Sequence, residues 1–116
     1  MVITGLGALT CLGIDKESYW KGLCEGRSGI RPITAFDVSQ FDVRFAGMLD
    51  AFDPTVAIEA REARRLDRYS QFALVAATEA VRDAGLDFQR VNLDRAGAVL
   101  GTGIGGIHEI EEQNRV

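Results

Sequence analysis

The sequence predicts an α/β protein built on a largely parallel sheet. Three observations carry that expectation. Short β-rich apolar segments occur at 2–4 and at 96–103, where AGAVLGTG is read as a strand. Stretches with helical periodicity separate them. The resulting order of strand, helix, weak strand, long helix, strand, helix is that of a layered sheet with crossover helices. The 116 residues suffice for one modest domain, yet this inventory offers few strands to flank its middle and so suggests a piece of a larger layered domain.

Each element has a local reason. Val2, Ile3 and Thr4 form a short buried strand ending at Gly5, and a glycine-punctuated loop follows. Asp15 caps a helix over 16–25, with Glu17 in the first turn, Tyr19, Trp20, Leu23 and Cys24 on its apolar side and Gly26 as its stop. The next stretch, 27–39, reads as irregular, with turns at Gly29 and Pro32. Val43 and Phe45 alternate with Arg44 and Ala46, a weak strand signal. Asp53 and Pro54 open a long helix predicted over 57–84, ended by Gly85. Its apolar stripe includes Tyr69, Phe72, Ala73, Ala76, Ala80 and Ala84, and the repeated alanines predict close approach to another helix or a sheet. After the strand at 96–103, IGGIHEIEEQ starts a last helix.

Composition bounds the function. Hydrophobic residues make up 47% and charged residues 26%, as in ordinary globular proteins, and the net charge of −4 argues against nucleic acid as a partner. No apolar run is long enough to span a membrane, and the opening lacks the basic region of a signal peptide. Two cysteines without secretory context predict reduced thiols and a cytoplasmic protein. With one histidine, His108, and no ligand spacing, no metal site is expected.

Three motifs invite chemistry. GTGIGG at 101–106 satisfies G-x-G-x-x-G, so its amides suit a pyrophosphate at a helix start. It equally suits a tight strand-to-helix turn with close backbone packing. Arg61, Arg64, Arg65 and Arg68 stand at i, i+3, i+4 and i+7, which places them on one face of a continuous helix. Such a face is either a solvated charge run or a docking surface for carboxylates or phosphates. Cys11 in its glycine-rich loop admits a reactive thiolate, but no imidazole is placed to act as its base, and Cys24 reads as packing.

Taken together, VITGLGALTCLG, Trp20, EGRSGIRPITAFDVS, VRFAG, FDP, EARRLDR, DAGLD and GTGIGG occur in an order and at intervals that identify a family. The chain resembles, from end to end, the N-terminal part of the elongating β-ketoacyl-acyl carrier protein synthases, nearest the synthase II kind. The resemblance implies that 1–116 is the N-terminal part of a thiolase-like domain of stacked α-β-α-β-α layers, homodimeric when complete. It implies decarboxylative Claisen condensation of an acyl thioester with a malonyl thioester on acyl carrier protein, with no cofactor and no metal. Polyketide ketosynthases and non-catalytic chain-length-factor subunits are the nearest alternatives, and a nucleotide-binding module is a more distant one.

The family's nucleophilic cysteine and its two histidines match no position here, so no catalytic residue is carried over and the chain alone is expected to be inactive. Cys11 stands where the family usually has proline in an S-P-L-G loop. Two features do carry over. Arg61, Arg64 and Arg65 fall on the basic positions of the K-E-x-R-K-M-D type segment that helps hold the acidic carrier protein. GTGIGG matches the family's G-S-G-I-G-G turn, which places Gly103 and Ile104 at the acyl pocket and turns the glycines from dinucleotide binding to close packing.

Overall fold

Helix α1 spans Lys16–Cys24, where Asp15 accepts from the Ser18 amide while Ser18 answers the Asp15 amide, a reciprocal capping box. A computed structural model, covering residues 1–115, places three further helices and one hairpin after it. Strands β1 (Ile30–Pro32) and β2 (Phe45–Gly47) pair antiparallel, with Ile30 opposite Gly47, Arg31 opposite Ala46 and Pro32 opposite Phe45. Helices α2 (Ala60–Ala63), α3 (Arg68–Asp83) and α4 (Ile107–Gln113) follow, and single 3-10 turns occur at Pro54–Val56 and Leu93–Arg95. Both α1 and α3 stop where expected. Gly26 and Gly85 adopt φ of 64° and 60°, and the residue after each donates back into the last helical turn.

Several expectations need correction. Residues 2–4 are not a strand, nor are 96–103; both segments run without a ladder partner among the described residues. Apolar, β-branched composition marks a segment as extended, but a strand exists only when a neighbour takes its amides and carbonyls. The only sheet among the described residues is therefore the antiparallel hairpin, not a largely parallel sheet. The hairpin also takes β1 from the stretch read as irregular. Arg31 secures it by donating to the Met48 carbonyl at 3.2 Å and pairing with Asp50 at 2.7 Å.

The long helix of 57–84 is broken into α2 and α3. Arg64 caps α2, and Asp67 resumes in extended geometry before α3 (φ −61°, ψ 152°). The break is held by Gln71, whose side-chain amide donates to the carbonyl of Leu66 (3.0 Å), which helix termination would otherwise leave bare, and to that of Ala63 (2.8 Å), which also accepts the Leu66 amide at 3.2 Å. It lets Leu66 fold onto the small core of Ile58, Ala63 and Val75, where Phe52 also packs. Phe52 meets Phe72 edge to face, with centroids 4.8 Å apart.

That core is small for the chain. The accessible surface is 9519 Å², against about 6,200 Å² for a compact monomer of this size. The radius of gyration is 17.1 Å, against about 13 Å. Trp20, Leu23, Val99 and Leu100 stand in the solvent, so the predicted apolar side of α1 is left uncovered. Cys24, expected to pack, is exposed as well.

Candidate functional site

The alanines of α3 act as their spacing predicts, and their partner is an extended segment. Residues 5–8 lie along the ridge made by Ala76, Ala80 and Ala84, so near that a side chain at Gly5 or Gly7 would run into the helix backbone. Two carboxylates set the register. Glu79 accepts the Ala8 amide and Asp83 the Leu6 amide, at 2.8 and 2.9 Å. The match is geometric, since the four helical residues from Glu79 to Asp83 advance about 6 Å and two extended residues about 6.6 Å. Glu79 also accepts the first amide of α1, that of Lys16, at 2.8 Å, and Lys16 Nζ reaches Asp83 at 2.6 Å. The Asp83 carboxylate holds the Lys16 ammonium charged well above its usual range. Lys16, followed by the Leu6 amide, lowers the pKa of Asp83.

This docking brings Leu9 beside the segment leading to the glycine turn. Leu9, Leu100, Gly101 and Thr102 close over Tyr69, Phe72, Ala73 and Ala76 of α3 around a cavity of about 280 Å³. Its walls are mainly hydrocarbon, suited to an apolar chain rather than to a phosphate. Gly103 and Ile104 are not among its walls. They stand on the next bend of the chain, with Ile104 74% exposed. Gly105 holds φ of 71°, the left-handed conformation that its lack of a side chain permits.

The arginines do not share one helical face. Arg61 lies on α2, Arg64 caps it, and Arg65 follows in the turn. Arg68 opens α3 and, though exposed, lies across two rings, its guanidinium 5.2 Å from the Phe72 ring centre and 5.8 Å from that of Phe52, donating to the Leu49 carbonyl. The helix break explains the difference, because it removes the 3.6-residue phase that relates Arg61 to Arg68. Arg61, Arg64 and Arg65 are all exposed. Among the described residues none of the three enters an ion pair, although Glu59 and Glu62 flank them, and Glu59 instead accepts the Arg61 amide at 3.1 Å. Arg61 and Arg65 border one shallow depression with those two glutamates.

No nucleophile–base pair forms among the described residues. Cys11 is exposed and packs its sulfur against Gly29 and Gly47 of the hairpin region. His108 engages Glu112 one helical turn away, at 3.3 Å. Sequence reasoning missed Glu79 and Asp83, which hold groups distant along the chain, and Gln71, which holds carbonyls of the preceding turns. Their only sequence signal is polarity on one side of an amphipathic helix.

Comparison with known proteins places these features. The chain is 45% identical over 116 residues to the 3-oxoacyl-[acyl-carrier-protein] synthase 2 of Synechocystis sp., covering all of this chain and 28% of that one. It is 44% identical over 111 residues to the protein of the same name from Staphylococcus aureus, covering 96% of this chain and 27% of that one. Its fold is similar to the solved ishigamide ketosynthase/chain length factor, with a TM-score of 0.77, 35% identity, and coverage of 98% of this chain and 28% of that one. The chain thus spans little more than a quarter of the length of these relatives. A family model described as the β-ketoacyl synthase N-terminal domain matches residues 1–115, and the chain belongs to that family.

Proposed function

We propose that the chain is the N-terminal portion of a 3-oxoacyl-[acyl-carrier-protein] synthase of fatty acid synthesis. Such an enzyme transfers an acyl group and extends it by decarboxylative condensation with a malonyl thioester. The end-to-end similarity to two synthases of that name carries this reading. The surface in excess of a compact monomer fits it physically: the bare faces of α1 and of residues 96–101 are where the remaining layers of a thiolase-like domain pack. Dimeric assembly and a cytoplasmic location belong to the same reading. Among the described residues no helix is long and apolar enough to cross a membrane.

In this reading Arg61, Arg64 and Arg65 hold the acidic acyl carrier protein. Their support is exposure without internal ion pairing, which leaves three guanidinium forks free for a partner's carboxylates. Ile104 and Gly103 belong to the acyl pocket, beside the apolar cavity that ends at Thr102. The chain itself supplies no catalytic residue and is expected to show no condensing activity alone.

The test is charge reversal at Arg64 in the complete synthase carrying this segment. Carrier affinity should fall about tenfold at low salt, and the difference should shrink as salt screens the surface. Equal affinity at low salt removes the docking role. Similarity to a ketosynthase/chain length factor supports a second reading, a polyketide ketosynthase or its non-catalytic partner subunit. Condensing activity with fatty acyl and malonyl carrier thioesters separates the two.

A further inference from the structure

The bend that carries Ile104 is hydrogen-bonded at its start and contacted at its end by side chains with no role assigned above. At its start the Thr102 hydroxyl accepts the Gly105 amide at 3.1 Å, closing residues 102–105 around Ile104 while Thr102 also walls the apolar cavity. At its end lies Asp67. This residue occupies the N-cap position of α3, yet its side chain makes no cap hydrogen bond. It seats instead against Gly106, where any side chain would collide with the carboxylate. Its Oδ2 is buried with no hydrogen-bond partner.

A carboxylate oxygen sealed from water without a donor is costly, so Asp67 has a standing demand for an N–H group. The turn has such groups to offer. Among the described residues the amides of Gly103, Ile104, Gly106 and Ile107 have no protein acceptor. A short movement that brings one of them to Asp67 satisfies both sides and fixes the bend against α3.

The geometry points to Thr102 and Asp67 as positioning residues for Ile104, and through it as determinants of the acyl length the pocket admits. This inference rests on the reading of Ile104 as a pocket residue. It adds that the wall is located by a hydroxyl and a carboxylate rather than by apolar packing, which the exposure of Ile104 does not supply.

The experiment uses the complete synthase carrying this segment, in four variants: Thr102→Val, Thr102→Ser, Asp67→Ala and Ile104→Phe. Amide exchange is followed by mass spectrometry over 100–107, and acyl-length preference is measured with a ladder of acyl carrier thioesters. Thr102→Val and Asp67→Ala should each speed exchange in that peptide about tenfold, corresponding to about 1.4 kcal/mol, and should change the ratio of longest to shortest accepted chains severalfold. Thr102→Ser, which restores the acceptor, should return both readouts to the parent values. Unchanged exchange in Thr102→Val and Asp67→Ala overturns the grip itself. Faster exchange with an unaltered length profile, while Ile104→Phe still shortens the accepted chain, overturns the link to specificity. A length profile indifferent to Ile104→Phe overturns the pocket reading beneath the inference, whatever the exchange data say.

Discussion

Replacing Glu79 by glutamine tests whether one carboxylate registers the N-terminal segment and α1 on α3. Its two oxygens accept from two amides far apart in sequence, Ala8 and Lys16, each at 2.8 Å. Glutamine fills the same volume but has a single acceptor, so one amide keeps its bond and the other faces an NH₂ group. A hydrogen bond to a charged acceptor contributes about 1.5–3 kcal/mol net, and water reaches this half-buried site to offset part of the loss. The expected cost is about 2 kcal/mol, one bond lost plus an opposed donor pair. Trp20, the sole tryptophan, sits on the helix whose first amide Glu79 holds, so its fluorescence reports the relevant docking during urea denaturation. With a slope of about 1–1.5 kcal/mol/M, the midpoint should fall by about 1.5 M. Glu17→Gln, which removes only an exposed ion pair to the same Lys16, should leave the midpoint in place. A Glu79→Gln midpoint within experimental error of the parent, or an equal fall in Glu17→Gln, would refute the carboxylate register.

Neighbouring groups set further expectations. Asp83, lowered from 3.8 first by the Lys16 ammonium and then by the Leu6 amide, contributes stability that is present above 3.8 and lost as pH falls through its folded value. The stability gap between the parent and Asp83→Asn should therefore narrow as pH falls below 3.8 and through the folded value, and a gap that stays constant on acidification would contradict it. Lys16, raised from 10.5 chiefly by Asp83, gives the opposite limb, with stability present below 10.5 and lost as pH rises through the folded value, so Lys16→Met should differ less from the parent at strongly alkaline pH. Asp15→Ala removes the carboxylate half of the α1 capping box, leaving Ser18 its bond from the residue 15 amide, and should cost about 1 kcal/mol in the same urea assay. In the complete synthase, Ile104→Phe should shorten the accepted acyl chain, read as product length by mass spectrometry.

What was legible in the sequence is what local chemistry decides. Asp15 starts α1 because its carboxylate reaches an amide three residues on, and Gly26 and Gly85 stop helices because they adopt the left-handed conformation cheaply. The alanine stripe announced a close neighbour, and residues 5–8 supply it. Of the hairpin, the weak strand signal around Phe45 was legible and became β2, but β1 and the register were not, because they depend on Arg31 meeting Asp50 and Met48 across an intervening loop. Neither was the break between α2 and α3. The apolar period runs through 63–68 without a glycine or proline, and what stops the helix is Gln71 capturing carbonyls of residues 63 and 66 while Leu66 joins Phe52 at the core.

The same division governs the site. The segments that carry the family resemblance, GTGIGG and EARRLDR, were readable as words, but their geometry was set by contacts the words do not contain. A continuous helix would have aligned four guanidinium groups. The break instead lays the exposed Arg68 over Phe52 and Phe72, against the Leu49 carbonyl, and leaves Arg61, Arg64 and Arg65 on α2 and the turn after it. It also frees Asp67 from capping duty, which is how a residue two positions after Arg65 comes to rest against Gly106 of the glycine turn. The proposed carrier grip and the proposed pocket wall, some forty residues apart in sequence, are thus linked at the α2–α3 junction by Asp67 against Gly106, and a substitution that straightened that junction into one helix would disturb both segments at once. Gln71→Ala is that perturbation in its mildest form. It strips the Leu66 carbonyl of its donor and the Ala63 carbonyl of one of two, while leaving every arginine and every residue of the turn in place.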